Sequence, residues 1–169
     1  MNKTENKTKV SHDLKVIHEV LEKSGMAYER DPSWFENVLV KKDDGEIESY
    51  LFQLNGDGLL NCCAVLRKEA SEANMTALLD LLNRINNGLQ YGRFSVHPDS
   101  GGISIMVYVS YEPGHLKPKQ VLEALVDVKS LVSVYGSAVH GVLAGERTVK
   151  EVMCEIDQKL SANCVPIEY

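Results

Sequence analysis

Cysteine and histidine are the residues of this chain best able to hold a metal ion, so their spacing is informative. Cys62 and Cys63 are adjacent and lack the two-residue gap that lets two thiolates reach one zinc ion. The five histidines include no H-x-x-x-H or H-E-x-x-H pair, the spacing that puts two ligands on one side of a helix. We therefore expect no metal site and no bound cofactor.

The nucleophiles do not indicate a catalytic site either. A cysteine nucleophile needs a neighbouring base, and no sequence feature selects one for any of the four cysteines. The chain has no G-x-S-x-G elbow, phosphate-binding loop or dinucleotide fingerprint. Gly101-Gly102 belongs to a hairpin turn, because no helix follows it. We predict no catalytic residue and a protein that is not an enzyme.

The adjacent cysteines lie in a strand-like run, where neighbours point to opposite faces, so they are poorly placed to bridge each other. We expect four free thiols, which is typical of a reducing compartment. The polar segment 1–9 has no apolar run of the signal-peptide type, and no stretch approaches the roughly 20 apolar residues of a membrane span. The sequence thus favours a cytoplasmic protein without a membrane partner.

The overall composition is that of a single globular domain with an excess of acidic residues. The chain has 169 residues and a net charge of −6 at pH 7. A nucleic-acid binder normally concentrates Lys and Arg on one face. We predict no nucleic-acid partner, although this composition leaves room for a local basic patch.

Two groups of polar residues have both a functional and a structural interpretation. Asn83 and Asn86 could bind a ligand, but hydrogen bonds to backbone groups where a helix meets a sheet are favoured, because a buried amide needs partners. Four carboxylates surround one hairpin turn and could attract a basic partner or a divalent cation. A solvated edge that discourages strand-to-strand aggregation is favoured for them. They are Asp43, Asp44, Glu46 and Glu48.

The stretch from Asn74 to Tyr111 organises the elements that would position these residues. Its first part predicts a second helix with one apolar stripe, widened by Leu81 and formed by Met75, Leu78, Leu79, Leu82 and Ile85. Asn87-Gly88 ends this helix. Alternating residues then predict two strands around a glycine turn, at 91–97 and at Ile103–Tyr111.

Three further strands precede this stretch. Turn signals separate them, and such short turns join neighbouring antiparallel strands into a meander. The third is a near-continuous apolar run, so we expect it to be central and covered on both faces. A short extended segment, Met26–Arg30, comes before the three, which are Trp34–Lys41, Glu46–Leu54 and Leu59–Arg67.

The remaining helices complete a single domain over 11–169. A first helix runs from Ser11 to Gly25, after a tail 1–10 that we expect to be disordered. A third helix begins at Pro118 and should kink or break at Gly136, Gly141 or Gly145. A capping box at Thr148 and Glu151 begins a last helix, Thr148–Leu160. The fold class is α+β, a five-stranded antiparallel sheet with packed helices in the order α-β-β-β-α-β-β-α plus a C-terminal helix.

This order resembles the type III secretion chaperone-like fold. A sharper similarity, to the YbjN-like family of bacterial sensory transduction regulators, rests on the helix end Leu82–Gly88, the segment Tyr91-Gly92-Arg93-Phe94 and the strand Ile103–Tyr111. It covers about Leu14–Gly145 and leaves the last helix outside. The resemblance implies a small acidic α+β protein, usually dimeric, with a protein-binding or regulatory role and no established enzyme activity.

These features lead to one functional hypothesis and one alternative. The first is a non-enzymatic protein-binding, chaperone-like or regulatory protein of the YbjN-like type, which could also have an unidentified protein partner. The alternative is a small-molecule sensor or small enzyme that uses a pocket between the third helix and the sheet.

We also predict a homodimer whose interface uses the second helix or the strands beside it. The apolar sector of that helix is wider than one sheet face needs, and the first and third helices leave the other face of the sheet bare. A competing hypothesis is that the last helix folds back over that face. Tyr and Arg are enriched in interfaces, and the candidate interface residues are Leu78, Leu81, Leu82, Ile85, Tyr91 and Arg93.

Overall fold

The structure contains helices and an antiparallel sheet, so the fold is α+β as predicted. The structure is a computed structural model that describes residues 3–30, 37–44 and 46–162. The helices are α1 (Lys3–Lys23), α2 (Glu72–Gly88), α3 (Pro118–Leu143) and α4 (Val149–Ala162). The strands are β1 (Glu29–Arg30), β2 (Asn37–Asp44), β3 (Ile47–Asn55), β4 (Leu59–Glu69), β5 (Arg93–Val96) and β6 (Gly102–Ser110).

All neighbouring strands of the sheet are antiparallel, in the order β1-β2-β3-β4-β6-β5. β2, β3 and β4 form the predicted meander. The chain then crosses through α2, so that β6 pairs with β4 and β5 becomes the edge strand. β4 lies between β3 and β6, which confirms its predicted central position.

The sheet has one short strand in addition to the five predicted. β1 contributes two residues, pairs with Val38 and Leu39 of β2, and falls at the end of the extended segment predicted at Met26–Arg30. A strand of this length is too short for alternation to reveal it. The predicted first residue of the following strand, Trp34, lies outside the described residues.

The first helix begins earlier than predicted. α1 starts at Lys3, whereas the sequence analysis placed the start at Ser11 after a disordered tail 1–10. The added segment has no Gly or Pro and contains Lys and Glu, which are good helix formers. The structure therefore continues the helix through residues 3–10.

All four helices lie on one side of the sheet. α3 packs on β4 and β6, α1 contacts α3 and β3, and α2 contacts α3 and β5. The inward side chains form the core, for example Phe52, Cys62 and Val107, which oppose one another across three strands and are at most 2% exposed. α4 packs on α2 and α3. This position contradicts the hypothesis that the last helix covers the other face of the sheet.

The glycines of the third helix have different roles. α3 continues through Gly136 and Gly141 and ends just before Gly145, whose φ of 69° suits the left-handed end of a helix. The predicted break therefore falls at the last of the three. A Cβ on Gly136 would meet the Glu46 carboxylate, and one on Gly141 would meet the Arg147 side chain. These two glycines give neighbouring side chains room against the helix.

A buried carboxylate that the sequence analysis did not single out fixes the first helix to the loop before α3. Asp13 is 1% exposed, and its oxygens accept hydrogen bonds from the backbone N–H groups of Gly114 at 2.8 Å and Leu116 at 3.0 Å. A buried charge is stable only where hydrogen bonds compensate for lost hydration. Asp13 thus holds α1 and the start of α3 in register.

Candidate functional site

Four of the six predicted interface residues belong to the core. Leu78, Leu81, Leu82 and Ile85 are at most 3% exposed. α2 has three neighbours, α3, α4 and β5, and together they cover its wide apolar sector. The assignment of these four residues to an interface is therefore corrected. Two members of the stripe stay accessible: Leu79 is 43% exposed and Met75 is partly exposed.

The other two predicted interface residues, Tyr91 and Arg93, lie at the surface. Tyr91 precedes β5 and is 49% exposed, and Arg93 is the exposed first residue of that strand. The guanidinium carbon of Arg93 is 5.8 Å from the centre of the Tyr108 ring on β6, which is within reach of a cation–π interaction. Arg93 and Tyr108 therefore share one surface, and the interface role of Tyr91 and Arg93 stays a prediction.

This surface is the outward side of the sheet, which we call the open face because no described helix packs on it. β4 was expected to be covered on both faces, but only its inward face lies under helices. A row of directly paired residues crosses the middle of the open face from β2 to β5. Its members are Leu39, Leu51, Cys63, Met106 and Arg93. Leu39, Leu51 and Met106 are partly exposed, and we call these three residues the apolar strip.

Uncharged polar residues flank this apolar strip on both sides. On one side Asn61 lies opposite Gln53 and Tyr108, and its Nδ2 donates to Gln53 Oε1 at 2.9 Å. On the other side the hydroxyls of Ser95 and Ser104 are 2.8 Å apart. Two described side chains of these rows are charged and of opposite sign: Arg93 on β5, and Glu29 of β1, which pairs with Leu39 at the other end of the central row. The open face is thus nearly neutral, although the chain as a whole has a net charge of −6.

The adjacent thiols of β4 point to opposite faces, as predicted. Cys62 pairs with Phe52 on the inward side, and Cys63 pairs with Leu51 on the open face. Burial raises the pKa of Cys62 strongly and raises the pKa of Cys63 to about 11, where a hydrogen bond with Ser104 partly offsets it. Both thiols stay protonated at neutral pH and are poor nucleophiles. Cys62, Cys63 and Cys154 are unbridged, and Cys164 lies outside the described residues.

Within residues 3–30, 37–44 and 46–162, no three His, Cys, Asp or Glu side chains come close enough together to hold a metal ion. None of the helices in these ranges is long and apolar enough to cross a membrane.

The four carboxylates predicted around one hairpin turn are described in part. Glu46 is partly exposed and Glu48 is exposed, while the side chains of Asp43 and Asp44 lie outside the described part.

Asn86 has the structural role predicted for it. Its side chain accepts a hydrogen bond from the Phe94 N–H at 2.8 Å and donates one to the Phe94 carbonyl at 2.9 Å. Phe94 lies in the edge strand β5, so the amide takes the place of a neighbouring strand at this position. Asn83, one turn earlier in α2, is exposed.

A cleft of about 290 Å³ opens between the C-terminal part of α3 and the end of β4. It has the position that the alternative hypothesis gave to a ligand pocket, between the third helix and the sheet. Its residues come from three separate parts of the chain, and only the folded topology brings them together. They are Glu46, Leu66, Arg67, Lys68, Val139, His140 and Leu143.

Comparison with known proteins defines the class. A family model described as "Putative bacterial sensory transduction regulator" matches residues 13–140, so the chain belongs to the YbjN family. α4 lies outside this match. Among solved structures the chain is similar to YbjN, "a putative transcription regulator from E. coli", with 14% identity, a TM-score of 0.55, and coverage of 78% of this chain and 89% of that chain. This likeness shows a shared fold. No curated protein sequence matches the chain.

Proposed function

We propose that this chain is a non-enzymatic regulatory protein that acts by binding protein, and that its first partner is a second copy of itself. The observation that carries the proposal is the apolar strip on the open face, where Leu39, Leu51 and Met106 reach the surface with no described helix above them. The family description supports the regulatory part. The open face, and not α2, is the interface we now propose.

A second copy suits this face because the face is apolar and nearly neutral. Such a surface needs no partner of opposite charge, and burial of its apolar area favours association. Two-fold symmetry would set the strip of one copy against the same strip of the other. Tyr108, 39% exposed, and Arg93 flank the strip, and both residue types are enriched where interfaces bind most strongly.

Light scattering on the full chain at micromolar concentration tests this proposal. A dimer should have about twice the chain mass of 18.8 kDa. The mass should not change with salt concentration, because a nearly neutral apolar interface depends little on screened charges. A mass of one chain, or an association that disappears with added salt, would contradict the proposal.

A second candidate function is that of a small-molecule sensor, and the cleft between α3 and β4 is the observation that favours it. Native mass spectrometry of protein purified from its own host would test this candidate. A co-purifying small molecule at near-equal amount would favour sensing. Protein that carries no small molecule would leave protein binding as the better account.

A further inference from the structure

We propose that the cleft between α3 and β4 binds a small apolar monocarboxylic acid. The inference rests on the second candidate function, whose ligand class it names, and does not depend on the dimer. It rests on an apolar floor, formed by Leu66, Val139 and Leu143, and a positively charged rim, formed by Arg67 and Lys68 at the end of β4. A ligand with an apolar body and one negative charge matches both parts.

The floor of the cleft is apolar. Leu143, the last residue of α3, is partly exposed there, Leu66 is 5% exposed, and Val139 lies fully buried beneath the floor. Small-molecule sites are concave and mostly apolar, with a few polar groups that fix the orientation of the ligand. A volume of about 290 Å³ is at the lower end of the range for such sites, so the body of the ligand must be small.

The rim offers a charged hydrogen-bond donor, the ammonium group of Lys68. Lys68 Nζ lies 3.4 Å from His140 Nδ1. Because an ammonium group can only donate, Nδ1 is the acceptor in this contact. An ammonium group has three N–H donors, so a ligand carboxylate could accept a hydrogen bond from one that does not point at His140. Hydrogen bonds of this charge-assisted kind are stronger than those between neutral groups.

One carboxylate in the cleft fixes which end of the ligand lies where. Glu46 reaches over α3 at Gly136, into space that a Cβ at that position would fill. Like charges repel at short range, so a ligand carboxylate is directed away from Glu46 and toward Lys68. Glu46 therefore opposes the binding of an anion. A variant in which the neutral amide of glutamine replaces this carboxylate should bind the anion more tightly.

An NMR titration of the full-length protein tests the proposal with hexanoate and hexylamine, which have apolar chains of equal length and opposite charge. Hexanoate should shift the backbone signals of residues 66–68 and 139–143, and hexylamine should not. Lys68→Gln should weaken hexanoate binding up to about fivefold, and Glu46→Gln should strengthen it. Lys150→Gln, a change at an exposed lysine of α4, should have no effect.

Lys68 is exposed, so Lys68→Gln should leave the fold intact. A change in its affinity for hexanoate therefore reports on binding and not on unfolding. Equal binding of hexylamine, an unchanged affinity in Lys68→Gln, or hexanoate shifts that fall outside the two segments would each overturn the proposal. None of these results bears on the dimer, whose mass is measured without ligand.

Discussion

At the scale of single residues, polar side chains fix the fold by completing the hydrogen bonds of the backbone. Asn86 satisfies both backbone groups of Phe94 at the sheet edge, and Asp13 satisfies two N–H groups in the loop before α3. The structural role of Asn86 could be predicted from sequence, because this residue directly follows Ile85 of the apolar stripe, where the helix meets the sheet. Asp13 could not, since its partners lie about a hundred residues away.

We expect Asn86→Ala to lower the free energy of unfolding by about 1–3 kcal/mol, because it leaves the N–H and carbonyl of Phe94 without their partner. Urea denaturation measures this difference. The matched control is Asn83→Ala, which removes an exposed amide of the same helix and should stay within about 0.5 kcal/mol of wild type. Equal losses of unfolding free energy in the two variants would show that the hydrogen bonds between Asn86 and Phe94 contribute nothing to stability.

The thiols give a prediction for pH. Burial raises the pKa of Cys63 from 9.0 to about 11. Above pH 9 the unfolded chain therefore loses this proton while the folded chain keeps it, so stability should fall as the pH rises from about 9 to about 11. Cys63→Ser should make that fall smaller, but not abolish it, in a comparison of melting temperatures at pH 8 and pH 10, because Cys62 contributes a fall of the same sign. An identical fall in the variant would contradict the assignment to this thiol.

At the scale of elements, α2 is the helix whose surroundings differ most from the prediction. Its periodicity correctly predicted a helix and a broad apolar sector. It could not tell how many neighbours share that sector, because α3, α4 and β5 reach it through long-range topology. For the same reason the sequence offered a pocket between the third helix and the sheet only as an alternative and did not indicate its lining residues. The meander and the two later strands were predictable, since local alternation and turns define them.

Two leucines of α2 test this account of the helix. Leu82→Asp places a carboxylate at a site that is 3% exposed, and it should destabilise the fold by several kcal/mol. Leu79→Asp makes the same change three residues earlier, at a site that is 43% exposed, and should melt close to wild type. Thermal melts of the two variants compare them directly. Melting of Leu82→Asp within a degree or two of wild type would refute the core position.

At the scale of the whole molecule, four helices cover one side of the sheet, and no described helix packs on the open face. The sequence suggested a bare face but assigned the interface chiefly to α2, since alternation does not say which face of a sheet the helices choose. The apolar strip is the basis of the proposed dimer, and the YbjN family description supports the regulatory role. The cleft lies between α3 and the end of β4, so one molecule could use both surfaces.

The most direct test of this account compares the masses of two lysine variants by light scattering. Met106→Lys puts a charge in the middle of the apolar strip, and Val126→Lys makes the same change on α3, at a site that is 59% exposed on the helix side. We predict that Met106→Lys has the mass of one chain, 18.8 kDa, and that Val126→Lys remains a dimer. A folded Met106→Lys that is still dimeric would contradict the open face as the interface.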